Sequence, residues 1–415
     1  AAGLPASAVR AAHIGELPRL DTGKPDRAAA LDLVPAHVAP RPDGDLLALY
    51  ADVLDRDDLT GDSSFVSAGG DSLSYVELSL RLEDQLGHLP TGWHTTAIRD
   101  LEPAASPRRC RTLETSVALR ALAIVLVVCF HSNALAVVGG AHVLVGVAGF
   151  NLARFGLSPV PRRERLRHLA ASATRIAVPT AVWAAGVALV TGDYGLPTVL
   201  HLNVLLGPDA FSPQWQLWFV EALLQLVGLV AVLVAVPSFD RLERRAPFAA
   251  AAALVGAGLL VRAGVVPLPG GPDGIHTAPA VLWLFALGWA AARASTRGRQ
   301  ALVSTVLLLA LPGFFGDPQR EAVVAVGLLA LVWLPELPCP RVLRRLAGVL
   351  ASSSLYVYLT HWQVYPHLEV DHPWMGVLAS LAVGVLTWRV AEVVSGRLRS
   401  YAVTGRTEPA STQRR

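Results

Sequence analysis

Three residues combine a reactive type with a setting that could use it: Arg120, His131 and Ser72. Arg120 and His131 lie within Leu113–Ala136, a hydrophobic stretch of membrane-spanning length. Ionisable groups are costly in hydrocarbon, so by default they mark function there. Their eleven-residue separation is close to three helical turns. Both side chains therefore fall on nearly one helix face, about 16 Å apart along the axis. A neutral imidazole can take a proton from a nucleophile, and a guanidinium can hold an oxyanion or a phosphate. Ser72 follows Gly69-Gly70-Asp71 where a helix is predicted to start. A serine there can carry a phosphate ester met by free N–H groups and the positive dipole end. The two glycines let a modifying enzyme approach the backbone, although an isolated Gly-Asp-Ser is otherwise an ordinary helix cap.

Two kinds of element must position these residues. Around Ser72, Leu46, Leu49, Tyr50, Val53 and Leu54 predict one amphipathic helix, and Leu73, Val76, Leu80, Leu82 and Leu86 predict a second. Upstream, Thr22-Gly23-Lys24 is a turn before a helix start at Pro25, and Val34–Asp45 reads as a linker. Beyond residue 112, apolar runs give ten candidate spans: 113–136, 138–157, 169–190, 214–236, 247–266, 278–293, 301–316, 321–335, 345–368 and 374–396. The segment 195–207 is expected to be re-entrant or interfacial. Placing residues 1–112 in the cytoplasm puts Arg162, Arg163, Arg165 and Arg167 in one inner loop, and Arg241, Arg244 and Arg245 in the next. Arg293, Arg297, Arg299, Arg341, Arg344 and Arg345 follow in later inner loops, whereas the outer loops hold only Arg320, with Arg262 close by. This asymmetry predicts both termini inside.

Composition agrees with a largely membrane-embedded chain. Hydrophobic residues make up 53% and charged residues only 16%, with a mean hydropathy of +0.46, against about 25% charged in soluble proteins. A net charge of +3 argues against nucleic-acid binding. Lysine occurs once, at Lys24, in an Arg-, Ala- and Leu-rich chain, a bias typical of high-GC bacterial genes. The only methionine is Met375, residue 1 is alanine and no signal peptide opens the chain; a fragment of a longer protein is expected. Cys110, Cys129 and Cys339 have no metal-site spacing and read as reduced thiols. Most histidines fall toward the outer side, but no span holds an HxxxH or HxxH pair, so no metal is expected. Glu221 and His361, embedded in apolar segments, are candidates for orienting an acceptor or for interhelical hydrogen bonds.

Several stretches resemble known families. GELPRLDTGKPDRAAAL, Gly15–Leu31, resembles the extreme C-terminal motif of adenylate-forming enzymes, with Lys24 at the position that contacts the acyl-adenylate. GGDSLS between two amphipathic helices resembles the acyl/peptidyl carrier proteins, in which the serine matching Ser72 bears 4′-phosphopantetheine. ALRALAIVLVVCFHS, Ala118–Ser132, is similar to the R-x10-H first-helix motif of the acyltransferase-3 membrane family, which Arg120 and His131 match. VGVAGFNLARF, TRIAVPT, QLWFVEALLQL and SSSLYVYLTHWQVY resemble later motifs of that family. Arg175 and Pro179 match one of them, whereas Ala148 replaces a usual Ser and Ser172 a usual Arg.

These resemblances imply a mainly α protein: a polytopic bundle of about ten transmembrane helices behind a small four-helix carrier. The expected divisions are an adenylation-domain tail (1–33), linker (34–44), carrier (45–104), linker (105–112), membrane acyltransferase (113–397) and cytoplasmic tail (398–415). The implied reaction moves an acyl or aminoacyl group from the Ser72 thioester to a hydroxyl or amine of a lipid, glycan or polymer. His131 would be the base, Arg120 the donor-binding or electrostatic residue, and Arg175 a further donor-side candidate. Implied partners are a phosphopantetheinyl transferase, membrane lipids, a membrane-associated acceptor and an adenylation core, absent from this chain, that would use ATP and magnesium. The implied location is a bacterial plasma membrane, with carrier and C-terminus cytoplasmic. Two alternatives remain open: a transporter or flippase for a carrier-made product, and an acyl-CoA-dependent O-acyltransferase.

Overall fold

The computed structural model describes residues 42–90, 92–102, 112–267 and 274–404. Lys24 and the adenylation-like stretch lie outside the described residues, as does Cys110.

In the carrier portion, helix α1 (Pro42–Leu54) begins at a proline in the first turn, where a missing N–H costs nothing. Helix α2 (Ser72–Leu86) begins at the predicted serine. Leu46, Leu49, Tyr50 and Leu54 of α1 pack with Val76, Leu78, Leu82 and Leu86 of α2 around Phe65 and Trp93. The carrier was expected to have four helices. Among the described residues it has two α-helices and one 3-10 turn, Ile98–Asp100, because Pro90 and Gly92 set turns after α2.

The membrane domain opens on a short strand, β1 (Thr112–Glu114), and continues through α3 (Thr115–His131), α4 (Gly140–Asn151) with a π turn at Leu152–Gly156, and α5 (Arg162–Val190). Two one-turn helices, Leu196–Val199 and Asn203–Leu206, fill the 195–207 segment. Next come α6 (Trp218–Ala235), α7 (Pro237–Arg245), α8 (Pro247–Arg262), α9 (Ala278–Arg293), α10 (Arg297–Ala310) and α11 (Pro318–Trp333). Strand β2 (Glu336–Pro338) pairs antiparallel with β1, and α12 (Arg341–Thr360) and α13 (Pro373–Thr404) complete the domain.

Each of the ten apolar segments expected from sequence carries one of these helices, with corrected ends. The first does not run from 113 to 136. Residues 112–114 form β1, and α3 stops at His131 because Asn133 adopts a left-handed conformation (φ 55°) that turns the chain. The 345–368 segment breaks after Thr360 into two 3-10 turns, His361–Gln363 and Tyr365–His367, and α13 runs on past residue 396 to Thr404. By length and composition, Arg162–Val190, Pro213–Ala235 and Pro373–Ser395 can cross a membrane, and α7 with α8, bent by 119°, adds a fourth candidate.

Helix α9 is apolar around its circumference, and residues Val281 to Ala290 are all buried, the pattern of a helix enclosed by others. Its backbone touches that of α4. A Cβ on Gly149 would sit 1.9 Å from the Phe285 carbonyl oxygen, so only glycine permits this approach. Below it, Arg165 of α5 is buried against Asp240 and Glu243 of α7, and Arg293 of α9 also reaches Glu243 at 3.0 Å. This ion network ties three helix ends together.

Candidate functional site

The carrier docks on the membrane helices through the loop and helix that bear Ser72. Asp71 caps α2: its Oδ1 accepts from the Ser74 N–H at 3.0 Å, and the Ser74 hydroxyl accepts from the Asp71 N–H at 2.9 Å. The other Asp71 oxygen faces α5, 3.0 Å from Arg175 Nε and 3.0 Å from the donating Ser172 hydroxyl. Burial raises the Asp71 carboxyl, but Arg175 and the Ser74 and Ser172 donors outweigh it and hold it below its ordinary range. Arg175 also donates to the Gly69 carbonyl at 3.3 Å. Gly69 is itself left-handed (φ 79°), and a Cβ there would meet the His168 ring at 2.6 Å.

Arg120 completes this end. Its Nη1 donates to the Ser72 carbonyl at 2.6 Å and its Nε to the Ser354 hydroxyl at 2.8 Å. The guanidinium is buried, its two hydrogen bonds go to neutral oxygens, and the Asp71 carboxylate acts on it electrostatically. Two guanidiniums, Arg120 and Arg175, thus share one carboxylate, a charge balance that suits an added anion. Arg120, Arg175, Ser172 and Ser354 therefore fit a phosphodiester on Ser72.

Around this point the interface is aromatic and ionic. Phe155, carried on the π turn, stacks on carrier Tyr75 at 4.7 Å and meets Phe65 edge-on at 5.5 Å. Tyr75 donates to Glu114, which also pairs with Arg154 and accepts from Ser116 at 2.5 Å. Burial raises the Glu114 carboxyl, but Arg154 and these donors hold it low. Arg344 pairs with Glu83, Arg345 with Asp84 at 3.3 Å, and Leu80 packs on Gly348.

The far end of α3 has different chemistry. His131 Nδ1 lies 3.0 Å from His361 Nε2. His361 is fully buried, and its Nδ1 lies 2.8 Å from the Tyr358 carbonyl and 3.2 Å from that of Val357. Carbonyl oxygens only accept, so His361 Nδ1 carries its proton and its Nε2 accepts from His131 Nδ1–H. His131 Nε2 is thereby left as the unprotonated nitrogen. Trp362 packs 4.3 Å from the His131 ring, with Tyr365 and Phe130 close by. Beside this pair runs a polar strip: Trp183 donates to Gln363 at 3.2 Å, Gln363 to Tyr194 at 3.2 Å, and Tyr194 to Gln216 at 2.8 Å.

The residues singled out from sequence thus gather in two groups, Ser72 with Arg120 and Arg175, and His131 with His361. Glu221 joins neither through a direct bond. Its carboxylate accepts from the Asn203 side chain (2.9 Å), the Val204 N–H (2.8 Å) and Gln225 (3.1 Å), tying the 195–207 segment to α6. Among the described residues no group of three or more His, Cys, Asp or Glu could hold a metal ion. Sequence reasoning missed Arg154, Phe155, Glu114 and the polar strip. Arg154 and Phe155 sit inside the quoted VGVAGFNLARF motif, so a charge beside an aromatic at the end of an apolar segment was the available signal.

Comparison with known proteins adds two matches. The profile described as an acyltransferase domain, acyltransferase-3, matches residues 118–389, and that of the phosphopantetheine attachment site matches residues 44–90. No curated protein and no solved structure gave a match. The first match spans well over half of the chain and contains both Arg120 and His131. With a phosphopantetheine-attachment domain fused ahead of these helices, the chain belongs to the acyltransferase-3 family of membrane proteins and is an acyltransferase.

Proposed function

We propose that the fused carrier is the acyl donor and that the group it carries is transferred at the outer end of α3. The observation that carries this reading is the docking of Ser72 on Arg120, at the foot of the helix that ends in His131. When bound, 4′-phosphopantetheine supplies a thioester on an arm of roughly 17 Å, counting bonds at the reach of an extended chain. The eleven-residue rise of α3 is of the same size, about 16 Å.

Arg120 and Arg175 neutralise the phosphodiester and fix its position. His131 Nε2 takes the proton of the attacking hydroxyl or amine and returns it to the departing sulfur. His361 holds the His131 ring in the required tautomer and shares the charge when that ring is protonated. Trp362 and Tyr365 keep water from the thioester. Glu221 keeps a structural role, holding the 195–207 segment in place.

In the cell, the loading enzyme is an adenylation core of the kind suggested by the Lys24 stretch, using ATP and magnesium, after a phosphopantetheinyl transferase has modified Ser72. The charge distribution supports ten spans in a bacterial plasma membrane with carrier and C-terminus cytoplasmic, so transfer runs from the inner to the outer side. The test loads Ser72 of the full chain in vesicles with radiolabelled acyl-phosphopantetheine and follows its discharge to membrane acceptors. Discharge is expected to require His131, with Ser72 loading unchanged in His131→Ala; equal discharge without His131 refutes the mechanism.

A further inference from the structure

A cleft of about 1990 Å³ runs between α5, α12 and α13, from carrier residues Ser74 and Glu77 beside Arg175 at one end to Trp362 at the other. We propose that it seats the hydrocarbon tail of a lipid acceptor, whose headgroup hydroxyl or amine is presented to His131 beside Trp362. This rests on the acyl-transfer reading and adds the class of acceptor.

Three observations carry it. First, α5 and α13 are two of the helices long and apolar enough to cross a bilayer, and the cleft opens along them. Its rims are outward-facing valines, Val182 being 69% and Val390 61% exposed. In the hydrocarbon region no water is present to fill such a space, and lipid chains are the available occupant.

Second, the wall is apolar where a tail would lie, with Val178, Pro179 and Val182 on α5 facing Leu355 and Leu359 on α12. It becomes polar at its outer end, where Trp183 and Gln363 meet, and charged at its inner end, where Arg175 and Arg344 lie near carrier Glu77 and Glu83, so the apolar stretch is bounded on the His131 side by groups that suit a headgroup. Third, that end is closed by Trp362, which packs against His131. The buried indole N–H of Trp362 finds no partner among the described residues. An unpaired buried donor is unfavourable, and a small turn of the enclosed indole toward the cleft would let a headgroup oxygen satisfy it. The same oxygen would then lie beside the imidazole that has to deprotonate its neighbour.

Gly186 gives a clean way to close the cleft. It lines the wall, and a Cβ there meets nothing within 4 Å, so a side chain at this position grows into open space. The full holo chain is placed in vesicles of phosphatidylcholine and phosphatidylglycerol containing phosphatidylglycerol with a photoactivatable group in its acyl chain, and labelled peptides are mapped. Leu355, Tyr356 and Leu359 line the cleft on this segment, and the half-buried Tyr356 is the side chain that a tail there meets.

The expected result is label on the Leu355–Leu359 segment of the wild type and its loss in Gly186→Leu. Label on Leu309, which is 78% exposed, should stay unchanged. An unlabelled α12, or equal label in Gly186→Leu, overturns the proposal. So does label on α12 that appears in Ser72→Ala but not in the holo protein, since the cleft would then hold the pantetheine arm. The label is read without turnover. If His131→Ala discharges Ser72 normally while the label behaves as expected, the acyl-transfer reading has failed and the lipid site has not.

Discussion

The two ends of α3 face opposite tasks with opposite chemistry. At the Arg120 end the polar contacts are charged or charge-assisted: Asp71 on Arg175, Glu114 on Arg154, Glu83 on Arg344. At the His131 end two imidazoles share one hydrogen bond inside an aromatic shell, and the nearby polar groups are amides, an indole and phenols. The first arrangement suits recognition of an anion, which formal charge does well and which needs no proton movement. The second suits proton transfer, which requires a group that changes charge and is spoiled by a permanent one nearby. On the proposed mechanism, one helix separates holding the donor from reacting with it.

Substitutions at the two ends should fail in different ways. The largest effect is expected for His131→Ala: transfer falls by about 10²–10⁴-fold, the usual contribution of a positioned acid–base group, while the carrier stays docked and loaded. Discharge of labelled Ser72 and a docking distance between spin labels at Asp57 and Leu346 read the two quantities separately. His361→Ala should cost roughly a hundredfold in discharge, the scale of losing the partner that orients a functional imidazole. His361→Gln should recover part of it, because an amide oxygen can still accept from His131 Nδ1–H.

At the other end, Arg120→Lys leaves a cation but cannot bridge Ser354 and the Ser72 carbonyl together. About tenfold weaker holo docking is expected, the lower range for losing one charge-assisted hydrogen bond, with the discharge rate of docked protein little changed.

Acidity separates the ends again. Asp71 and Glu114 are held below the ordinary carboxylate range in the docked state. Their contribution is fully present above that range and is lost as pH falls through their lowered values. The spin-label distance should lengthen only in that acidic window, and docking unchanged there would remove these carboxylates from the account. The smallest effect is expected for Asp84→Asn. Its pair with Arg345 is well exposed on both sides, and such pairs contribute about 1 kcal/mol or less. Docking should shift barely and only at low salt.

Much of this was legible along the chain. The serine at a helix start, the eleven-residue Arg–His spacing and the order of apolar segments are local patterns, and local patterns survive folding. His361 was marked by its apolar setting, but its bond to His131 joins positions 230 residues apart, which no spacing reveals. For Glu221 hydrogen bonding was one of the two readings, but its partners Asn203 and Val204 come from a segment with no periodic signal. The span ends were misplaced at Asn133 and Thr360 because hydropathy averages over turns that depend on a single residue's backbone conformation. Ser172, read as a departure from a family pattern, has a use in this chain as a donor to Asp71.

The carrier interface has one more consequence, which concerns concentration. Only nine residues separate Glu102 from Thr112, a reach of roughly 30 Å even when extended. A tether that short keeps the carrier at a local concentration of about millimolar or higher relative to its dock. At that level an interface worth about 4 kcal/mol is enough to keep it seated half the time. Ion pairs and a few aromatic contacts can therefore seat the carrier without trapping it, leaving it free to exchange between loading and delivery.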